Sequence, residues 1–206
     1  MDKTCFFTGH RRLSRDKDYV RRLLESAVLD AINDGVDTFI AGGAVGFDML
    51  AAQSVLALRH DYEISLRLYI PYRGHTSGWH EEDREEFVEL LPKADSVLYV
   101  SENYFRGCMR KRNEAMVRDS DCGIAWCERG ASGTLQTVSI AKKRGIVVLL
   151  VVSFVCSLCM GYLSSRDFSA AAMNWIAEGV NIAGQGTFLA AAILLRKAGK
   201  ESAIAA

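Results

Sequence analysis

The sequence predicts an α/β fold, a Rossmann-like, doubly wound and mainly parallel sheet of about six strands with helices on both faces. Three observations carry this expectation. Short apolar runs alternate with longer amphipathic ones from Lys3 to about Val152, as strands and helices do in a sheet covered on both sides. Small-residue turns containing glycine follow several of the short runs, where such folds place their binding loops. The length of 206 residues suits one well-buried domain, and 50% hydrophobic residues with two prolines exclude a disordered or collagen-like chain. Residues 1–152 are read as the Rossmann-like domain and 153–206 as an apolar C-terminal tail without an assigned structure.

The elements follow in order. The first strand is expected at Thr4 to Phe7. Val20, Leu23, Leu24, Ala27, Val28, Ala31 and Ile32 recur at steps of three and four, which places one apolar stripe on a helix ending near Gly35. Thr38 to Ala41 is a second strand, and Phe47, Leu50, Ala51, Val55 and Leu58 form the buried face of the next helix. Ile64 to Ile70 is a third strand, stopped by Pro71. A charged helix from about Glu81 to Leu91 leads to a strand at Ser96 to Val100, and a basic helix from about Cys108 to Arg118 leads to a strand at Gly123 to Trp126. A helix from Thr134 to Lys143 and a strand from Ile146 complete the pattern.

Lys plus Arg and Asp plus Glu are both 25, so no global field draws the chain to an acidic partner and direct nucleic-acid binding is not indicated. Any anion site is therefore local. The first residues lack the apolar core and cleavage site of a secretion signal. Six unevenly spaced cysteines then read as reduced thiols, and a cytoplasmic location is expected. No charged residue stands between Arg144 and Arg166, a run long enough for the roughly 20 residues of a membrane span. Residues 145–163 are accordingly either a membrane anchor or the buried last strand with apolar sequence packing behind it.

In a doubly wound sheet, ligands bind beyond the carboxyl ends of the strands, where the strand order reverses. Thr8, Gly9, His10 and Arg11 follow the first strand and can form either an anion contact or a structural turn. Gly42, Gly43, Ala44, Val45 and Gly46 follow the second strand and open a helix, so amide N–H groups and the helix dipole favour phosphate there. The spacing is neither the usual dinucleotide fingerprint nor a P-loop. Asp48 either caps that helix or accepts from a ribose hydroxyl. Tyr72 and Trp79, in the loop after Pro71, offer faces on which a base could stack, or they cover the neighbouring helix. Arg110, Lys111, Arg112 and Asn113 open a helix, where cations oppose the dipole, so they serve either a nearby anion or a solvated basic face. Ser132, Gly133 and Thr134 begin the last helix, where they cap it and can hold phosphate.

Other constellations are weaker. Cys156 and Cys159 have metal-ligand spacing but lie in an apolar run, so no metal site is expected; Cys122 and Cys127 read as core-facing. His75 and His80 stand without further ligands at a recognisable spacing. No nucleophile motif of the Gly-x-Ser-x-Gly type is present.

Taken together, Thr8-Gly9-His10-Arg11, the run Gly42-Gly43-Ala44-Val45-Gly46-Phe47-Asp48-Met49-Leu50-Ala51-Ala52, Pro71 with Trp79, Arg110 to Met116 with Asp119 and Asp121, and Ser132-Gly133-Thr134 resemble the SLOG superfamily, which contains the DprA/Smf and LOG proteins. The YpsA-like branch is the nearest match. The resemblance covers about residues 3–152. It implies a Rossmann-like nucleotide-binding domain whose glycine-rich loops take nucleotides or nucleotide-derived ligands, with a regulatory role in stress or cell-division physiology.

LOG enzymes cleave the N-glycosidic bond of nucleoside monophosphates, and the same resemblance assigns their Met-x-x-Arg element to Met109 and Arg112. The Glu of their Pro-Gly-Gly-x-Gly-Thr-x-x-Glu motif is replaced by Thr137, and no Pro-Gly-Gly precedes Ser132. Asp48, Asp119 and Asp121 are the carboxylates available in its place. The leading expectation is therefore binding or sensing of a nucleotide-type small molecule. A LOG-like hydrolase and a membrane-tethered regulator held through 145–163 are the alternatives. No catalytic residue or cofactor is assigned. A homodimer is expected only because Rossmann-like domains often pair through helices.

Overall fold

Among the described residues one six-stranded parallel sheet organises the fold. The computed structural model describes residues 3–127 and 133–150. Its strands are β1 (Lys3–Gly9), β2 (Val36–Ala41), β3 (Ser65–Ile70), β4 (Ser96–Tyr99), β5 (Cys122–Trp126) and β6 (Val147–Leu150). They lie in the order β4-β3-β2-β1-β5-β6, and every neighbouring pair is parallel. The helices are α1 (Lys17–Asn33), α2 (Phe47–Leu58), α3 (Glu81–Leu90), α4 (Cys108–Arg118) and α5 (Gly133–Lys143). The chain winds outward from β1 to β4, crosses back over the sheet through α4, and continues from β5 to β6. Strand order thus reverses between β1 and β5.

Right-handed crossovers send the helices of the two halves to opposite faces. One core joins Cys5, Phe7, Phe39, Leu66 and Leu68 of the sheet to Leu24 and Val28 of α1, Leu50 and Val55 of α2, and Phe87 of α3. The other joins Phe6, Ile40 and Tyr69 to Ala115, Met116 and Val117 of α4 and Ala141 of α5. Phe6 and Phe7 are adjacent residues pointing into different cores, as the period of two in a strand requires.

Two boundaries depart from the sequence expectation for local reasons. α1 starts at Lys17, ahead of the apolar stripe, because Asp16 caps it by accepting from the N–H groups of Asp18 and Tyr19 at 3.0 and 3.1 Å. It stops where Gly35 takes φ of 86° and donates to the Ile32 carbonyl. β1 runs on to Gly9, so Thr8 lies inside the strand rather than in the loop, because β5 pairs with it as far as Gly9 opposite Trp126.

The start of the expected membrane segment is a turn at Gly145 followed by β6, which supports the last-strand reading for 147–150. Among the described residues no helix is long and apolar enough to cross a membrane. The remainder of 145–163, the tail 153–206, and Cys156 with Cys159 lie outside the described residues.

Candidate functional site at the carboxyl edge of the sheet

Four stretches of chain meet at the turn Gly42–Gly46, between β2 and α2. Gly43 and Gly46 hold φ of 58° and 88°, values that strain any side chain. Crowding imposes a second requirement. A Cβ on Gly46 would overlap the carbonyl of Arg11, and one on Gly42 would overlap the guanidinium of Arg112. The first loop is tied in because the Phe47 N–H donates to the His10 carbonyl at 3.1 Å, and because Gly9 leaves room for the Phe47 ring. The third stretch contributes His75, whose Nε2 lies 3.1 Å from the Gly43 carbonyl. The fourth is α4, which contributes Arg112.

Arg112 is the centre of this arrangement. Its guanidinium lies over Gly42, and Nη1 donates to Asp48 Oδ2 at 3.2 Å, with both side chains less than one-tenth exposed. Burial pushes the Asp48 carboxyl up, opposed by Arg112 and by a hydrogen bond from the Ala44 N–H. Burial likewise draws Arg112 down, opposed by Asp48. Each desolvated charge is partly offset by the other. Among the described residues Arg112 Nε is buried without a hydrogen-bond partner, an unspent donor at the point where the loops converge.

Arg11, although exposed, reaches this centre through its field. It favours the carboxylate of Asp48 and disfavours the charged forms of Arg112 and His75. Two cations against one carboxylate leave the turn locally positive in a chain of zero net charge. For His75, burial is the larger cause and lowers its pKa from the ordinary 6.5, with Arg112 and Arg11 adding to the effect and the Gly43 carbonyl opposing it. The neutral ring then donates from Nε2 to Gly43.

Several expectations need correction. Asp48 does not cap α2: the cap is Gly46, with no side-chain cap hydrogen bond, and the Asp48 carboxylate is held inward by Arg112. Arg110 stays apart from Arg112 on the exposed side of α4, bonded to Glu114 one turn on at 2.8 Å, because residues two apart on a helix point in different directions. Lys111 lies over the Phe105 ring, 5.7 Å from its centroid. Asn113 is buried beside Arg112 in sequence. Trp79 packs against His75 and Phe87, with ring centroids 5.0 and 5.6 Å apart, so it covers α3 as the alternative reading held. Tyr72 meets His75 and Tyr104 edge-on and keeps part of its surface exposed.

Asp119 and Asp121 cannot serve this edge. Asp121 accepts from the Thr4 N–H at the start of β1 at 2.8 Å, and Asp119, just past the end of α4, accepts from the Tyr69 hydroxyl at 3.0 Å and pairs with Arg118. Gly133 opens α5, and Thr134 is buried; Ser132 lies outside the described residues. Cys122 and Cys127 are only half buried, since they lie at the two ends of β5.

The sequence offers His75 as part of the loop surface after Pro71 or as a metal ligand, and its part in closing the glycine turn appears only in the fold. The visible signal was a histidine four residues after Pro71, with Trp79 and Phe87 available to bury it. Open cavities of about 630 and 580 Å³ lie elsewhere, lined by Asp37, Arg59, Asp61 and Glu63 and by Tyr69, Asp95 and Leu98 respectively. Neither reaches the glycine turn, so the candidate site rests on convergent polar groups rather than on a deep hollow.

The reversed strand order and the glycine turn after β2 define a Rossmann-like α/β protein. The family model for YpsA, described as the YspA SLOG family, matches residues 7–144, and the chain belongs to that family. Among curated relatives, the UPF0398 protein BH1768 of Halalkalibacterium halodurans is 27% identical over 143 residues, covering 68% of this chain and 74% of its own. A UPF0398 protein of Levilactobacillus brevis is 32% identical over 108 residues, covering 51% and 55%. The chain thus spans little more than half of the second relative and under two thirds of a third, from Macrococcus caseolyticus, at 65%.

Among solved structures, DNA processing protein A of Helicobacter pylori, described for its single-stranded DNA binding mode, superposes with a TM-score of 0.56 at 17% identity over 75% of this chain and 67% of its own. DNA processing protein A of Streptococcus pneumoniae also gives 0.56, at 19% identity over 75% and 51%. At these identities the likeness is one of fold.

Proposed function

We propose that the carboxyl edge binds a nucleotide or nucleotide-derived anion, with phosphate at the Gly42–Gly46 turn and the start of α2. The observation that carries this reading is the buried Arg112, laid across Gly42 with its Nε unmatched while Asp48 holds Nη1. A protein tolerates a desolvated guanidinium with an orphan donor where ligand binding repays its cost. The local excess of positive charge from Arg11 and Arg112, the helix N-terminus and the left-handed glycines all favour an anion in the same place. A regulatory role in stress or cell division remains an implication of the family resemblance.

Binding is preferred to N-glycosidic hydrolysis on the position where a LOG enzyme carries its Glu. Thr137 there is buried, and its hydroxyl donates to the Gly133 carbonyl at 2.8 Å; Asp48 is committed to Arg112. Neither group offers a carboxylate free to handle a proton.

Titration calorimetry of the full chain against nucleoside mono-, di- and triphosphates, nucleosides and ADP-ribose tests the proposal. A saturable response to a phosphorylated member, weakened at least tenfold by Arg11→Ala, is the expected result. Flat traces throughout would overturn it. A single-stranded oligonucleotide is included because of the Helicobacter pylori protein; a response to the oligonucleotide alone also overturns the nucleotide reading. Release of free base from a nucleoside monophosphate would move the assignment to the hydrolase.

A further inference from the structure

At the opposite end of β1 from the glycine turn, Cys5 stands opposite Cys122 across the β1–β5 ladder. In-register residues of adjacent parallel strands point to the same face. Both side chains accordingly meet the same core, Cys5 fully buried within it and Cys122 half buried at its margin. Adjacent strands are about 4.8 Å apart, within the 4.4 to 6.8 Å range of Cα separations that a disulfide spans, on the order of 5.5 Å being usual. The Cys5 thiol donates to the Phe6 carbonyl at 3.7 Å and the Cys122 thiol to the Thr4 carbonyl at 3.9 Å, and the ionisation of each depends on the other.

We propose that Cys5 and Cys122 are a peroxide-oxidisable pair that closes to a reversible disulfide between β1 and β5. The two thiols have different roles. Cys122 is the one solvent reaches, and the neighbouring Cys5 thiol lowers its pKa against the opposing effect of burial, with a smaller lowering from the Lys3 ammonium. Cys5 is enclosed, and burial keeps it a thiol.

In the first step the Cys122 thiolate attacks one oxygen of hydrogen peroxide. The O–O bond breaks, hydroxide leaves and takes a proton, and Cys122 becomes a sulfenic acid. In the second step the Cys5 sulfur, losing its proton, attacks the Cys122 sulfur and expels the sulfenic oxygen as water. Two thiols are oxidised, one peroxide is reduced, and two waters form. A dithiol such as dithiothreitol reverses the bond by exchange.

The test treats the full-length protein with a few equivalents of hydrogen peroxide, blocks remaining thiols, and maps the digest by mass spectrometry without reduction. A linked peptide pair containing Cys5 and Cys122, lost on prior treatment with dithiothreitol, is the expected result. In Cys5→Ser, a sulfenic acid trapped at Cys122 by dimedone should replace the link, and in Cys122→Ser the buried Cys5 should remain a thiol. Wild-type protein whose Cys5 is still free after Cys122 has been oxidised further would overturn the proposal. So would a link from Cys122 to any other cysteine, or no oxidation of Cys122 at all. The wild-type map decides the matter even where a serine variant fails to fold.

Discussion

The two edges of the sheet are built on opposite principles. At the carboxyl edge, backbone and side chains crowd together: glycines admit close approaches, and Arg112 and Asp48 are enclosed against one another. At the amino edge the charged groups pair in solvent, as with Arg59 and Asp95, 3.0 Å apart with side chains 38% and 42% exposed beside the open cavities. Two open hollows, of about 630 and 580 Å³, therefore lie where the charges are exposed. Open volume marks where the chain is loosely covered, whereas enclosed polar groups with an unmatched donor mark where a ligand has something to recognise.

The contrast can be broken most directly at the two ion pairs. Arg112→Ala leaves the Asp48 carboxylate buried without its partner and should cost about 3 to 5 kcal/mol, read as a lower midpoint in urea denaturation. Pairing Asp48→Leu with Arg112→Met should recover a large part of that loss, since no unmatched charge remains. Equal losses for the double and single variants would show that Arg112 acts by packing.

Next in size is the glycine turn. Gly46→Ala meets both a left-handed backbone and the Arg11 carbonyl, whereas Gly35→Ala meets the backbone penalty with open space around it. The second should cost about 1 to 2 kcal/mol, and the first should exceed it. Matching losses would mean that the turn is less crowded than its geometry indicates.

His75 sharpens the comparison through pH. Its folded pKa is depressed from 6.5, so on acidification the unfolded chain takes up a proton first. Its contribution to stability is thus complete above about 6.5 and is lost as pH falls below that value towards the folded pKa. His75→Gln should flatten this part of the stability profile; an unchanged slope between about pH 5 and 7 would refute the assignment. Smallest of all, Arg59→Ala at the amino edge should cost no more than about 1 kcal/mol, and less in high salt.

Much of this architecture was legible beforehand. α1 and α2 are recoverable from their apolar spacing, since a helix must bury one stripe, and Gly35 marks a helix end that only a left-handed residue makes easily. The residues of the glycine turn were legible for the same local reason. The partnership of Asp48 with Arg112 was not, because it joins residues 64 positions apart in the chain, and no local pattern in either segment selects the other. Arg110 and Arg112 look alike in a row of basic residues, yet one is solvated and the other is enclosed by the way α4 crosses above β2.

By itself, the sequence determined the alternation of strands and helices, the places where the backbone must turn left-handed, and the neutral overall charge, all of which depend on neighbours in the chain. The tertiary structure decided which of the charged and aromatic residues share one edge and which thiols stand side by side. Those choices follow from strand order and crossover direction, which bring distant segments within bonding distance and cannot be felt by any short stretch of chain alone.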